Sequence, residues 1–427
     1  MMLTLAASQS VTSRGVRDRS CRRRRTRRRK TSALRLFCSG LVSARFAQRA
    51  SLITNPDDFA VKRRIGEYGV MNITSNPPFQ PGVIGSDGLS LGCSSTYSER
   101  LSVQDIREDR VKIRLYEGRV VQGQLKGTPV IFKVYPGARA GGIVADMMAA
   151  NELNSYADLQ ADLKDLCVNI QFLLGGFETR TGEQWLAFRN NGVYSAADYA
   201  KARSEGISKV LGSEKTRIWF DLNKEEKLKR RRYFIIKLLN GAITGLAFMH
   251  DHDRLHQSIG PASVVLNTIS DGEARYLVPR LRDLAFSVDL RFQSLEEDCS
   301  NLSEGLWRRA SAAGAHTPLE KKAFGIADDI YEAGLLFAYL AFVPFCDRGV
   351  MDVLTIRRLF ESIFQLDVGA AREYCSADDR LQEAVQFLDL GDGAGWELLQ
   401  AMLSRDYRRR PGAHAVLNHR FMKGEVL

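Results

Sequence analysis

The pattern of apolar and polar positions changes character along the chain. Residues 1–50 are dominated by arginine and small hydroxylated side chains, and 51–104 run through Asn76-Pro77-Pro78, Pro81-Gly82, Gly85, Gly88 and Gly92. Such punctuation predicts a tether without a core of its own. After about residue 105 the positions 111–114 and 119–122 alternate like strands, and 128–135 is a stronger run of the same kind. A helix is predicted over 143–160, then strand-like runs near 169–174 and 184–188. From about residue 230 the apolar period is helical, ending at Phe248-Met249-His250, and 396–403 is amphipathic at helical spacing. The longest apolar run, 333–345, is far short of the roughly twenty residues a spanning helix needs, which predicts a buried core helix and no transmembrane segment. Strands first and helices second predict an α+β architecture.

Composition is ordinary for a globular chain of 427 residues, with 44% hydrophobic and 26% charged positions. The charge is not evenly spread. Residues 1–50 hold thirteen Arg and Lys30 against Asp18 alone, a balance of +13. The total is +11, so residues 51–427 carry −2. The basic character therefore belongs to the N-terminus, and a basic nucleic-acid-binding domain is not supported. An Arg-rich, Ser-rich, acid-poor start with a dense block at 22–30 has the profile of an organellar transit peptide, plastid ahead of mitochondrion. A nucleic-acid-binding basic arm is the rival reading of the same residues. The seven cysteines lie at least seventeen residues apart, which indicates neither a disulfide framework nor a thiolate metal site.

Over 105–425 a series of short motifs resembles the eukaryotic protein-kinase family. Val130-Ile131-Phe132-Lys133 looks like the V-A-I-K strand, whose lysine holds nucleotide phosphates. Glu152 lies where the family places that lysine's glutamate partner. His256-Gln257-Ser258-Ile259-Gly260-Pro261-Ala262-Ser263 aligns with the catalytic loop, usually H-R-D-L-K-P-E-N. Asp283-Leu284-Ala285 falls at D-F-G, Thr317-Pro318-Leu319-Glu320 resembles A-P-E, and Asp329-Ile330-Tyr331-Glu332-Ala333-Gly334 resembles the start of the helix that follows. Arg410 then matches the arginine that the family pairs with Glu320. The resemblance implies a two-lobed body: an N-lobe over 105–192 and a C-lobe over 193–425, with an insertion near 201–229. It also implies an activation segment over 283–320, carrying Ser294, Ser300, Ser303 and Ser311.

The departures decide the functional expectation. Phosphoryl transfer needs an aspartate to accept the substrate hydroxyl proton and oxygen ligands for magnesium. Here the aspartate position is Ser258, the following lysine is Gly260, and the asparagine that holds the second metal is Ser263. Taking Gly118 as the third glycine of the phosphate-covering loop puts Ile113 and Leu115 at the first two positions. General-base assistance is worth typically about 10²–10⁴ in rate. What remains is Lys133, Glu152 and Asp283, a nucleotide half suited to ATP and magnesium, with Asp283 as the metal carboxylate. In the alternative registers Asp251 or Asp253 is the base.

The expectation is a monomeric pseudokinase in the chloroplast, working through protein partners and retaining an ATP subsite. Its alternatives are an atypical active Ser/Thr kinase and a nucleic-acid binder using the basic arm. The cluster His250, His252 and His256 reads as structural rather than a zinc site. The mixed run 224–232 reads as a solvated helix face. Asp271-Gly272 predicts a hairpin turn.

Overall fold

The computed structural model of the chain describes residues 52–69, 111–161, 166–210, 217–291 and 303–424. The arginine block, the Pro/Gly stretch, Ser294 and Ser300 lie outside them.

A five-stranded antiparallel sheet comes first, built from β1 (Phe59–Gly69), β2 (Lys112–Val120), β3 (Pro129–Tyr135), β4 (Leu173–Glu178) and β5 (Gln184–Arg189), in the order β1-β2-β3-β5-β4. The two strands expected at 111–114 and 119–122 are one. The polar residues between them lie half-buried on its two faces: Glu117 pairs with Arg63 of β1 at 3.1 Å, and the Tyr116 ring packs on Trp185. Side chains of β3 alternate between two covered faces, which is why it reads as a continuous apolar run. Val130, Phe132 and Val134 join Phe59, Val120, Leu174 and Ala187 in one core. Tyr135 lies in the other, with Leu186, Phe188 and the helix α1 (Ala138–Leu159), which contributes Met148, Leu153 and Tyr156.

The tether expectation fails at its start. Residues 52–69 carry β1 and the segment leading into it, so the sheet's first strand lies inside what reads as linker. Ile53 bridges Gly175 of β4, its N–H donating to the Leu174 carbonyl at 2.9 Å, and Phe59 six residues later pairs with Val120 of β2. One short segment thus ties both edges of the sheet. Contact this close requires glycine at 175, where an added Cβ would stand 1.9 Å from the Ile53 carbonyl oxygen.

Helices follow. A short strand β6 (Tyr194–Ser195) leads into α2 (Ala196–Val210), and α3 (Arg217–Asp251) runs for 35 residues. Where an insertion is expected at 201–229, residues 201–210 and 217–229 are helical. That segment has no proline and is rich in Lys, Glu and Leu, which favour helix. The part Lys224–Asp251 is long and apolar enough to span a bilayer by composition, yet Phe234, Ile235, Leu238, Leu239, Ile243 and Leu246 are buried against the protein core. Small strands β7 (Arg254–Leu255), β8 (Val264–Leu266), β9 (Arg280–Leu281) and β10 (Val288–Asp289) pair as β6-β8-β9 and β10-β7. Asp271-Gly272 opens a 3-10 turn, Asp271–Tyr276, rather than a hairpin. Asp271 accepts the Tyr199 hydroxyl at 2.8 Å and lies 3.6 Å from Arg203, contacts that a tight two-residue turn does not offer.

Two helices complete the frame of the site, α4 (Glu304–Ala312) and α5 (Pro318–Phe342), and α5 contains most of the expected core run 333–345. Thr317 and Glu320 cap α5 reciprocally, Glu320 accepting from the Thr317 and His316 N–H groups at 3.0 Å. The expected Glu320–Arg410 bridge is not made. Arg410 donates to the Ser404 and Ala327 carbonyls at 2.8 and 3.0 Å and lies over the Tyr331 ring, while Asp328 pairs with Arg309 of α4. Half-buried Arg410 takes backbone acceptors, and Glu320 is spent on the helix end.

Gly175→Ala is expected to lower stability by about 1–3 kcal/mol, because the Ile53 backbone must move. Gly66→Ala, where an added Cβ meets nothing within 4 Å, stays within about 0.5 kcal/mol of wild type. Urea denaturation of the two variants makes the comparison.

Candidate functional site

Lys133 lies mid-strand on β3, opposite Leu115 of β2 and Leu186 of β5. Its alternation places it on the Tyr135 side of the sheet, facing α1. The ammonium is 4% exposed, too buried to persist without partners. It donates to Glu152 Oε1 and Oε2 at 2.8 and 2.7 Å and to Asp283 Oδ1 at 2.8 Å, which uses all three of its protons. Lys133, Glu152 and Asp283, which the resemblance implies as one set, are brought together.

Glu152 is fully buried and answers from several sides. It accepts the Tyr135 hydroxyl on β3 and the Leu284 N–H at 3.2 Å. Its neighbour Asn151 donates to the Ala285 and Ser287 carbonyls, both at 2.8 Å. Helix α1 is thereby fastened to the sheet and to residues 284–287 within one helical turn. Asp283 itself adopts a left-handed conformation, φ 69°, which an aspartate tolerates at modest cost and which points to a constrained site.

The loop at 256–263 is shaped by one carboxylate. Asp329, buried at the start of the aligned segment of α5, accepts from the His256 N–H at 2.8 Å, the Gln257 N–H at 2.9 Å, the Gln257 amide at 3.1 Å and His250 Nε2 at 3.0 Å. Gln257 is also left-handed, φ 60°, and these bonds hold it there. Ser258 follows. Its hydroxyl donates to the Asp283 carbonyl at 2.8 Å and lies 3.3 Å from His256 Nδ1, which also accepts the Ser258 N–H. Burial pushes the His256 imidazole below the ordinary histidine range, against the pull of Asp329, so it is neutral. Ser263 closes a small ring with Gly260, accepting its N–H and donating to its carbonyl, both at 2.9 Å.

Neither neighbouring acid takes the base position. Asp251 faces His414 at 2.9 Å, and Asp253 faces Lys322. His252 turns to the Phe248 carbonyl at 2.8 Å, so the three histidines of the cluster have three different partners. Among the described residues no group of three His, Cys, Asp or Glu side chains converges as for a metal ion.

No family model matches the chain. It is similar to the chloroplastic serine/threonine-protein kinase STN8 of Arabidopsis thaliana, 24% identical over 397 residues, covering 85% of this chain and 69% of that protein. It is also similar to the chloroplastic serine/threonine-protein kinase STN7 of the same plant, 24% identical over 218 residues, 47% of this chain and 37% of that protein. The similarity supports a protein-kinase-like fold.

Against that fold, the expectation for Gly118 is corrected. The β1–β2 hairpin opens at the Gly69–Lys112 pair, so the connection between these strands runs through 70–111. Gly118 lies six residues further along β2, paired with Val61 and Val130 and three positions from the register of Lys133. An added Cβ there would stand 2.5 Å from the Ala60 carbonyl oxygen and 2.5 Å from the Phe132 ring. Its glycine serves strand packing. Ile113 and Leu115 are likewise strand residues. The spacing misleads because β1 is hidden in the apparent tether.

Three residues of the site are absent from the sequence reading. Tyr135 holds Glu152. Arg282, next to Asp283, lies with its Nε 3.3 Å from Asp283 Oδ2. Arg254 is 5% exposed and joins Ser155 and Asp158 of α1, at 3.0 and 2.8 Å, to Asp289 of β10 at 3.5 Å. Burial raises the Asp289 carboxyl, but Arg291 and Arg254 outweigh it and hold the group below its usual range. Only its place two residues before His256 marks Arg254 in the sequence.

Glu152→Ala leaves the Lys133 ammonium buried and short of two bonds, and is expected to cost about 3–5 kcal/mol in urea denaturation. His256 gives a pH signature. Its folded pKa is depressed, so its contribution is present above the unfolded value of roughly 6.5 and is lost as pH falls below it. Burial pushes Glu332 up to about 7, which has the opposite sign over part of this window, so wild type alone is not diagnostic. The stability gap between wild type and His256→Asn is expected to narrow from about pH 7.5 to about 5.5. A constant gap counts against a neutral buried imidazole.

Proposed function

We propose that this chain is a two-lobed, kinase-fold pseudokinase of the chloroplast, acting as a monomeric scaffold or allosteric regulator of protein partners, with a nucleotide subsite around Lys133. The sheet-bearing lobe extends back to include β1, and the helical lobe begins near residue 193. The observation that carries the reading is Ser258. At the position of the proton-accepting carboxylate stands a neutral hydroxyl that donates inward to the Asp283 carbonyl, and Asp251 and Asp253 are committed to His414 and Lys322. A hydroxyl at neutral pH accepts a proton poorly, and positioning without a base forgoes much of the rate. Gly260 offers no cation in place of the family's loop lysine.

Support for the subsite is the set Lys133, Glu152 and Asp283, which in kinases of this kind faces ATP and magnesium. Support for the compartment is twofold: the arginine-rich, acid-poor start of the sequence, and two similar proteins that are both chloroplastic. Cleavage of the arm would remove the arginine block on which the nucleic-acid reading rests.

Incubation of the purified chain with labelled ATP, magnesium or manganese and a generic protein acceptor tests the reading. Incorporation is expected at background, equally in wild type and Lys133→Ala. Wild-type incorporation that Lys133→Ala abolishes would establish an active Ser/Thr kinase instead.

A further inference from the structure

Three consecutive arginines on α3 meet different surroundings. Arg230 lies 3.6 Å from Glu226 one turn back. Arg231 donates to the Pro344 carbonyl at 2.8 Å and stands over the Phe345 ring. Arg232 makes no hydrogen bond or ion pair among the described residues, although its side chain is half-buried and its Nε is shielded from solvent. A cation partly removed from water without an acceptor is costly. Burial pulls this guanidinium below the ordinary arginine range, and Glu383 and Glu225 pull the other way by less. It still carries its charge at neutral pH.

Arg232 lines a cavity of about 500 Å³ between the N-terminal part of α3 and the helices Gln382–Leu388 and Leu390–Met402. Lys224, Leu228 and Arg232, at four-residue spacing, present one face of α3 to it, with Glu225 and Lys229 beside them. Gln386 and Leu390 line the other side. The run 224–232 is therefore a solvated helix face only in part. Leu228 and Leu390 also pack against the core, which makes part of the lining apolar. Lys224 lies 2.8 Å from Glu383, and Asp389, next to Leu390, pairs with Arg372 at 2.7 Å. Lys224, Lys229 and Arg232 against Glu225 and Glu383 leave an excess of one positive charge around the cavity.

A small acidic molecule answers each of these features. A carboxylate or phosphate supplies the pair of acceptors that a guanidinium fork matches, and Lys229 adds a second cation. The Gln386 amide can donate to a further oxygen, and the two leucines can cover a short carbon skeleton. The volume falls within the roughly 300–1,000 Å³ of small-molecule sites.

We propose that this cavity is a binding site for a small organic anion, a phosphate or carboxylate on a short carbon skeleton, whose oxygens are received by Arg232 and Lys229. The site shares no residue with Lys133, Glu152, Ser258 and Asp283, so it stands independently of the nucleotide subsite.

Calorimetric titration and thermal shift of the full chain test it, with 3-phosphoglycerate, which carries both head groups, and with inorganic phosphate as probes. A ligand of the native state raises the melting temperature. Wild type is expected to respond to millimolar 3-phosphoglycerate and to bind inorganic phosphate several-fold more weakly, because phosphate leaves the two leucines uncovered. Equal affinities overturn the carbon-skeleton part of the proposal. Arg232→Gln is expected to weaken 3-phosphoglycerate binding at least about tenfold. Its unliganded melting temperature is expected at or above that of wild type, since the variant removes a half-buried charge that lacks an acceptor. Lys227→Gln, which removes the same charge from an exposed position outside the lining, is expected to bind as wild type does. No wild-type response to either probe overturns the site. So does unchanged binding in Arg232→Gln, which includes the case of an anion held in the cleft at Lys133. Equal losses in Arg232→Gln and Lys227→Gln reduce the effect to general surface attraction and also overturn it. Weaker binding in Arg232→Gln together with a lowered unliganded melting temperature assigns Arg232 to the fold instead.

Discussion

Three short bonds from one buried ammonium hold the described molecule together at its centre. Lys133 on the sheet, Glu152 on the helix beside it and Asp283 after the small strands come from points 19 and 150 residues apart. Burying such charges is costly, and their mutual attraction offsets the cost only when every oxygen and proton is used. Here the remaining capacity is filled by the Tyr135 hydroxyl, the Leu284 N–H and Arg282. The network ties the three residues together whatever the chemistry of the neighbouring loop.

A second carboxylate does for the loop what Glu152 does for the helix. Asp329 gathers the backbone of His256 and Gln257 and the ring of His250, fixing a left-handed residue immediately before Ser258. The loop is thereby held in a fixed shape up to Ser258. Arg254 supplies the third tie, from α1 to β10 through Asp158 and Asp289. Glu152 and Arg254 both tie α1 to the segment after Asp283, and Asp329 ties the loop to α5.

The motif positions Lys133, Glu152, Ser258 and Asp283 were legible because their neighbours fix the register: an apolar strand before Lys133, a helix ending at His250, and the apolar run at 264–266. The core helix at 333–345 and the strands at 128–135 and 184–188 were legible from period and apolar content alone. What failed in the sheet has one physical cause. β1 and the Ile53 bridge lie in a stretch whose only local signals are charge, glycine and a long insertion, and a strand on a sheet edge needs a partner to exist. The Gly118 assignment failed with it, because without β1 no one can tell which end of β2 is the turn. The Glu320–Arg410 pairing failed because a helix N-terminus in need of acceptors competes for the same carboxylate.

Composition and spacing by themselves determined the arginine-rich arm, the order of strands before helices, and a serine at position 258. These are properties of residue identity and short-range pattern. Tertiary structure alone decided which charges meet: that Arg282 and Lys133 share Asp283, that Arg254 reaches α1, and that Asp251 and Asp253 turn elsewhere. Ion pairing depends on distances of a few ångströms between residues far apart in the chain, and no periodicity encodes them.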